Sequence, residues 1–358
     1  MTWAPPNGLR YPVAILGATG AVGQTFIRLL ANHPWFEITE LAASERSAGK
    51  RYSEAAKWIE GVMPEDIAGM IVKNIDPAGI TSPIVFSALD SSVAGDAERD
   101  FAQAGKFVLS NAKNFRMDDD VPLVIPEVNA SHLGLLDRQR RERGWTGAIV
   151  TNANCAATVA AVALAPLHER FGIEKLFLMT MQAVSGAGYP GVASLDILGN
   201  VIPYIADEEP KLEKEMKKLL GSYAGDAVTF AGMEVSSHTN RVAVEHGHTV
   251  CITASFRDRV TPEDAVSALR DWQGDPSTLD LPSRPAKTII VTDEPNRPQP
   301  RRDVNEGDGM SVIVGRVRPD PILDIRMVAL GHNTIRGAAG GSVLNAELLA
   351  RTGRLIIE

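Results

Sequence analysis

An α/β protein is predicted, with a mostly parallel sheet in its first part and an antiparallel or mixed sheet in its second. Three observations predict it. Short, fully apolar runs recur between helical patterns from residue 11 onward. A glycine triplet follows the first of these runs and precedes a helical pattern. From about residue 173 the strand-like runs lengthen and partly alternate. Buried parallel strands read as continuous apolar runs, whereas half-covered antiparallel strands alternate.

The elements follow in order. Tyr11–Leu16 (Tyr-Pro-Val-Ala-Ile-Leu) is a strand, Gly17-Ala-Thr-Gly-Ala-Val-Gly23 follows at once, and Thr25–Asn32 reads as helix. Glu37–Ala43 is a second strand; Ile84–Ala88, Phe107–Ser110 and Leu123–Ile125 are further short ones. Another apolar run leads into Thr-Asn-Ala-Asn-Cys-Ala-Ala-Thr (151–158), and Ala156–Leu164 is an Ala-rich helical pattern. Lys175–Ala183, Val250–Phe256, Met310–Arg318 and Ile325–Ala329 are longer strands, and 207–218 is a highly charged helix. The Pro-, Arg-, Asn- and Gly-rich stretch 294–309 reads as a loop, and Gly337–Ile357 as a helix that packs back on the first part.

Composition narrows the function. Of 358 residues, 44% are hydrophobic and 22% charged, as in ordinary globular domains. A net charge of −8 argues against a nucleic-acid partner. No run approaches the roughly 18 apolar residues that span a bilayer. The first ten residues lack a charged stretch followed by an apolar one, so no secretory leader is predicted. The two cysteines, Cys155 and Cys251, exclude a disulfide framework and a Cys-rich zinc site, and no metal is expected. A cytoplasmic location fits best.

Cys155 carries the first chemical signal. At or just before a helix N-terminus, unpaired N–H groups and the helix dipole favour the thiolate, the nucleophilic form. Cys251 falls in an apolar strand and reads as structural. Gly17, Gly20 and Gly23 let the backbone turn tightly and approach a pyrophosphate, which then faces a helix N-terminus. Glu40 lies near the place of an NAD-type acidic residue. Ser44, Arg46 and Ser47 just beyond it offer hydroxyls and a guanidinium for a ribose 2′-phosphate, so NADP is the expected cofactor.

These residues carry a resemblance. Ser-Asn-Ala-Lys-Asn-Phe-Arg-Met (110–117), Asn-Cys (154–155), Gln-Ala-Val-Ser-Gly-Ala-Gly-Tyr-Pro-Gly (182–191), Glu-Glu-Pro-Lys (208–211), Asn-Arg-Val-Ala-Val-Glu-His-Gly-His-Thr (240–249) and Gly337-Ala-Ala-Gly-Gly-Ser-Val-Leu-Asn-Ala-Glu347 occur in order. Together with the glycine loop, they make the chain similar to the aspartate-semialdehyde dehydrogenase family of archaeal and fungal type. The resemblance implies a Rossmann-type dinucleotide-binding domain and a second α/β catalytic and dimerisation domain. The expected division is 1–154, completed by 337–358, and 155–336. It implies Cys155 as nucleophile, Gln182 as the residue orienting substrate, and His248 as acid/base. Arg241 would bind the substrate α-carboxylate and Glu208 would face its amino group. Lys211 and Arg116 would bind phosphate, with Asn114 beside the substrate. Thr19, Ala21, Val22, Ser185, Gly186 and Asn333 join the cofactor site. The implied reaction interconverts L-4-aspartyl phosphate and L-aspartate 4-semialdehyde in lysine, threonine and methionine biosynthesis. A homo-oligomer, dimer or dimer of dimers, is implied.

The chemistry suits these residue types. An aldehyde carbon calls for a soft nucleophile that later leaves as a thioester, and a histidine near pKa 6.5 suits proton movement. A guanidinium matches a planar carboxylate at two points. Local alternatives stay open on spacing alone: His246 competes with His248, Glu209 with Glu208, and Arg116 could cap the acidic turn at Asp118–Asp120. Glu208 and Lys211 could equally form a solvated helix face. The chain departs from the family at Ala153, Ala156 and Glu245-His246, where Pro, Ser or Thr, and a pair ending in Asp are usual. An acyl-CoA reductase of the same fold is the alternative reading. A nucleotide-sensing regulator with an inert or redox-sensing Cys155 is a more distant one.

Overall fold

The computed structural model describes residues 8–355; the first seven residues, most of the segment read for a leader, and residues 356–358 of the expected C-terminal helix lie outside the described residues. In the first part, strands β1 (Tyr11–Leu16), β2 (Phe36–Ala43), β3 (Lys73–Asn74), β4 (Ile84–Ser87), β5 (Phe107–Ser110), β6 (Leu123–Val124) and β7 (Ala148–Asn152) alternate with helices. These are α1 (Ala21–Leu30), α2 (Tyr52–Ala55), α3 (Glu65–Ala68), α4 (Ser91–Gln103), α5 (Pro126–Asn129) and α6 (Leu135–Arg143). The strands form one sheet in the order β3-β2-β1-β4-β5-β7-β6. Every pairing in it is parallel. Val13, Ala14, Ile15 and Leu16 of β1 are fully buried, which is why this strand is an unbroken apolar run. Strand order reverses between β1 and β4, the crevice at which such sheets bind ligands.

The second part opens with α7 (Cys155–Phe171) and continues through β8 (Ile173–Gln182), α8 (Ser194–Ile197), α9 (Glu208–Leu219), the hairpin β9 (Ser222–Ala224) and β10 (Ala227–Thr229), and β11 (Glu234–Arg241). β12 (His248–Phe256), α10 (Pro262–Asp271), β13 (Ile289–Thr292), α11 (Pro300–Asp303), β14 (Val312–Pro319) and β15 (Ile325–Gly331) complete it. Its main sheet runs β11-β8-β12-β15-β14-β13, parallel at the two edge pairs and antiparallel between. The sheet is therefore mixed. α7, α9 and α10 share one apolar core with alternate residues of its strands, among them Leu176, Leu178, Val250, Ile252, Val312 and Met327. The intervening residues, such as Lys175, Phe177, Cys251 and Thr253, stay partly or fully exposed on the other face. Among the described residues, no helix is long and apolar enough to cross a membrane.

The chain then returns to the first sheet. A π turn at Ile335–Ala339 leads into α12 (Gly340–Arg351), whose Val343, Leu344, Leu348 and Leu349 join the core beneath β1, β4 and β5. The sequence places a helix here but not the π turn. It also leaves β11 unassigned, because Glu-Val-Ser-Ser-His-Thr-Asn-Arg is too polar to read as a strand. Pairing along the whole length of β8 supplies what apolar side chains do not. Two boundaries shift: α1 begins four residues before Thr25, directly after Gly20, and the expected loop 294–309 contains the single turn α11.

Arg336 of the π turn forms a two-point ion pair with Glu127 at 2.7 and 2.9 Å, and the two side chains are 1% and 0% exposed. This pair ties the return segment to α5. Arg336→Leu leaves a buried carboxylate without its counter-charge, which costs about 3–5 kcal/mol. Urea unfolding followed by circular dichroism should show a loss of that size, and an unchanged midpoint would show that the pair contributes nothing to stability.

Candidate active site

Three strand ends converge at one edge of the second sheet. β8 and β11 run parallel and end together, with Gln182 opposite Arg241. β12 runs antiparallel to β8 and so begins there, at His248. β7 of the first sheet ends at Asn152, and two residues later the chain turns into α7. Asn154 is the N-cap: its side-chain oxygen accepts from the N–H groups of Ala156 and Ala157 at 2.9 and 3.1 Å. Cys155 is thus the first helical residue, with its Sγ 3.1 Å from His248 Nε2. The π turn closes the back of the site. A Cβ on Gly337 would lie 2.6 Å from the Cβ of Cys155, so only glycine fits against the nucleophile.

The polar surroundings set the protonation states. The Cys155 thiol is partly accessible, yet burial of its surroundings and then the Glu208 carboxylate push its pKa up to about 12. Arg116, Arg241 and the Ala156 N–H pull the other way and do not prevail. Burial and Glu208 thus oppose the expected thiolate, while the Ala156 N–H, which also donates to Asn154 Oδ1, still favours it. His248 is fully buried, and burial, Arg241 and His332 push it down to about 3. Its Nδ1 accepts from the Ala183 N–H at 3.1 Å, which assigns the ring proton to Nε2, facing the sulfur. His246 stands apart. Its Nδ1 lies 3.1 Å from Ser185 Oγ and its ring stacks on His332 at 5.0 Å.

Helix α9 presents Glu208, Lys211 and Glu215 towards the nucleophile loop. Glu208 Oε1 accepts from Asn154 Nδ2 at 2.8 Å and from Gln182 Nε2 at 3.1 Å. Lys211 Nζ lies 3.8 Å from Glu208 Oε2. Glu209 faces elsewhere and accepts from the Thr239 N–H at 2.9 Å. Arg116 is buried. It donates to Glu215 at 2.9 Å and to the Asn111 carbonyl at 2.8 Å, and its Nε has no partner among the described residues. The acidic turn does not hold it, because Asp118 and Asp120 are paired with Arg143. Arg241 Nη1 donates to the Ala183 carbonyl at 2.8 Å. Asn114 is not drawn into this cluster; its amide donates to the Ser91 carbonyl at the start of α4. Asn154, Asn111 and Glu215 belong to the cluster and escaped the sequence reading. Asn directly before a helix and a carboxylate seven residues, two turns, after Glu208 were the available signals. Ala156 is fully buried in the apolar core, so packing accounts for the missing hydroxyl.

A nucleotide cradle adjoins this cluster. Gly17 has φ 73°, and a Cβ there would lie 2.6 Å from the Ala88 carbonyl oxygen beyond β4. A Cβ on Gly23 would lie 2.3 Å from the Gly17 oxygen. Gly20 caps α1 without a side-chain bond, and no acidic residue sits in the first turn. The N–H groups of Ala21, Val22 and Gly23 open this helix, with Thr19 beside them. The cradle therefore fits a pyrophosphate. Ser44 and Arg46 are exposed and Ser47 is half-buried in the turn after β2. Glu40 has no freedom to read a ribose. Its carboxylate is buried and accepts from Lys73 at 2.7 Å and from the Thr81 and Ser82 N–H groups at 3.0 and 2.7 Å. Against the push of burial, these bonds hold its pKa down to about 2. Asn333 donates to Ser185 Oγ at 2.8 Å and accepts from the Gly247 N–H at 2.9 Å, which joins the start of the return segment to the strand ends. A Cβ on Gly186 would lie 2.9 Å from Arg241 Nη1 and 3.1 Å from His248 Cε1. Among the described residues, no group of at least three His, Cys, Asp or Glu is arranged to hold a metal.

Known proteins resemble this chain over nearly its whole length. Residues 12–136 match the model of the semialdehyde dehydrogenase NAD binding domain, and residues 164–336 match that of the semialdehyde dehydrogenase dimerisation domain. The chain is 50% identical to aspartate-semialdehyde dehydrogenase of Archaeoglobus fulgidus over 96% of its own length and 99% of the relative's. It is 46% identical to that of Schizosaccharomyces pombe over 95% and 98%. Its structure is similar to that of the Candida albicans enzyme with NADP, at a TM-score of 0.88 and 44% identity, covering 97% of this chain and 100% of that one. Aspartate semialdehyde dehydrogenase II of Vibrio cholerae, complexed with ASA, gives 0.74 at 26% identity over 96% and 99%. The chain belongs to the aspartate-semialdehyde dehydrogenase family.

Proposed function

We propose that this protein interconverts L-4-aspartyl phosphate and L-aspartate 4-semialdehyde with NADP, through a thioester on Cys155. The observation that carries the reading is the 3.1 Å approach of His248 Nε2 to Cys155 Sγ, with Gln182, Arg241 and Glu208 around it. The relatives' names support the substrate, and the Candida albicans enzyme with NADP supports the cofactor. Residues 1–154 with 337–358 act as the nucleotide-binding domain and 155–336 as the catalytic and dimerising one. The dimerisation-domain match supports a homo-oligomer, which we take as a dimer or a dimer of dimers in the cytoplasm.

Cys155 Sγ attacks the acyl carbon as its thiol proton passes to the departing phosphate, leaving the thioester. His248, neutral and protonated on Nε2, donates a hydrogen bond to the oxygen of each tetrahedral adduct and to the thiolate as it is released, and solvent returns the thiol proton. Arg241 grips the α-carboxylate, Gln182 orients the substrate, and Arg116 and Lys211 receive the phosphate. Glu208 faces the substrate ammonium. Pairing there offsets the lesser of the two influences that raise the thiol pKa, burial being the larger. Gly17, Thr19, Gly20, Ala21, Val22 and Gly23 would hold the cofactor pyrophosphate. Ser44, Arg46 and Ser47 would take its 2′-phosphate, and Ser185, Gly186 and Asn333 its nicotinamide end. The bound cofactor supplies or accepts the hydride.

NADP reduction with L-aspartate 4-semialdehyde should require inorganic phosphate and not CoA. Robust CoA-dependent, phosphate-independent turnover would sink the proposal in favour of an acyl-CoA reductase.

His248→Asn should lower kcat about 10²- to 10⁴-fold with little change in substrate KM. His246→Asn, made in parallel, should cost far less; the reverse order would show that the wrong histidine faces the reaction.

Arg46→Ala should raise KM for NADP about 10-fold or more, the scale of one lost charge-assisted hydrogen bond, and leave KM for NAD nearly unchanged. Equal effects on both cofactors would remove Arg46 from the 2′-phosphate site.

A further inference from the structure

Glu215 is a buried carboxylate at the centre of the site to which the reaction assigns no step. It is 2% exposed, and its two oxygens are divided between two partners. Oε1 accepts from Arg116 Nη1 at 2.9 Å, and Oε2 accepts from the main-chain N–H of Asn154, the residue before Cys155, at 2.6 Å. Taking a carboxylate out of water is unfavourable unless its hydrogen bonds are well made. Here both are made, and each goes to a different part of the site.

The same helix grips the arginine's loop a second time. Lys218, three residues on from Glu215, donates to the main-chain carbonyls of Arg116, Asp118 and Val121 at 2.8, 2.8 and 2.9 Å. α9 therefore holds the main chain around Arg116 through Lys218 and its guanidinium through Glu215. The nucleophile loop is held at Asn154 N by Glu215 and at Asn154 Nδ2 by Glu208. The helix fixes the separation between the arginine and the nucleophile. The buried Arg116 Nε, without a partner among the described residues, is a donor left for a ligand.

We propose that Glu215 is a positioning residue that couples the phosphate-binding arginine to the nucleophile, one carboxylate holding both Arg116 and the main chain that presents Cys155. This rests on the reading of Arg116 as a phosphate ligand. It has a cost built in: Glu215 competes with bound phosphate for the charge of Arg116. The carboxylate therefore weakens anion binding while it keeps the acyl carbon, the sulfur and the departing phosphate in register.

The test uses Glu215→Gln in the full chain. The amide keeps the shape, loses the charge, and offers one acceptor where two N–H groups need one. Phosphate affinity is read without turnover, as protection of Cys155 from iodoacetamide by inorganic phosphate, with the Cys155 peptide separated from that of Cys251 by mass spectrometry. The half-protecting phosphate concentration should fall at least about 3-fold, the scale of one removed, partly screened charge. kcat should fall about 10- to 100-fold from the lost alignment. Affinity and turnover moving in opposite directions is a signature that a merely structural carboxylate does not give. Should Glu215→Gln fail to fold, Glu215→Asp serves. It keeps the charge but is too short to span both partners, so kcat should fall while phosphate protection stays within about 2-fold of the parent. An unchanged or higher half-protecting concentration in Glu215→Gln, parent kcat in the folded variant, or no phosphate protection in the parent overturns the proposal. CoA-dependent turnover of the parent, with phosphate protection intact, overturns the reaction proposed above and leaves the role of Glu215 standing.

Discussion

The site depends on how Asn154 is held. Its main-chain and side-chain polar groups are all engaged: Oδ1 with the first N–H groups of α7, Nδ2 with Glu208, N with Glu215, and O with Thr158. An N-cap is worth about 1 kcal/mol to a helix, so stability alone does not explain this saturation. What the bonds fix is direction. They set the first turn of α7, and with it the vector of the Cys155 side chain, relative to both the first sheet through β7 and the second sheet through α9.

The other constraints act on the same residue from other sides. Gly337 lets the return segment press against Cys155 with no side chain between them. Gly186 lets the loop after Gln182 pass Arg241 and His248. The Ala183 N–H orients the imidazole, while the Ala183 carbonyl takes Arg241, so one residue aligns both the His248 ring and the Arg241 guanidinium. Sheet register makes this possible. Gln182 and Arg241 face each other because β8 and β11 run parallel, and His248 joins them because β12 runs back.

Much of this was legible in the sequence. The strands of the first sheet are apolar runs because both faces are covered, and the glycine loop sits where the first run ends. Cys155 was placed at the helix start. β11 was not legible, since its side chains are polar and its pairing with β8 is a long-range fact. The roles of Glu40 and Asn114 also depended on distant partners: the Thr81–Ser82 main chain in one case and the Ser91 carbonyl in the other. Glu215 looked like one more charge on a charged helix. Only burial distinguishes it from Lys214 or Lys217, and burial is a property of the assembled layers.

The resting electrostatics follow from that assembly. A helix N-terminus by itself would favour a thiolate at Cys155, but burial opposes it, Glu208 adds a like charge, and the cap shares the first N–H groups. His248 does not supply the missing cation, because the N–H of Ala183 points at the nitrogen that would have to gain a proton. Burial and the nearby Arg241 act in the same direction. A neutral thiol beside a neutral imidazole is the state these contacts favour. Under the reaction proposed, Glu208 is the group that a substrate ammonium would meet, and its bonds to Asn154 and Gln182 keep it in place for that. Pairing there would remove a like charge from beside the sulfur and leave burial as the influence that still favours the thiol.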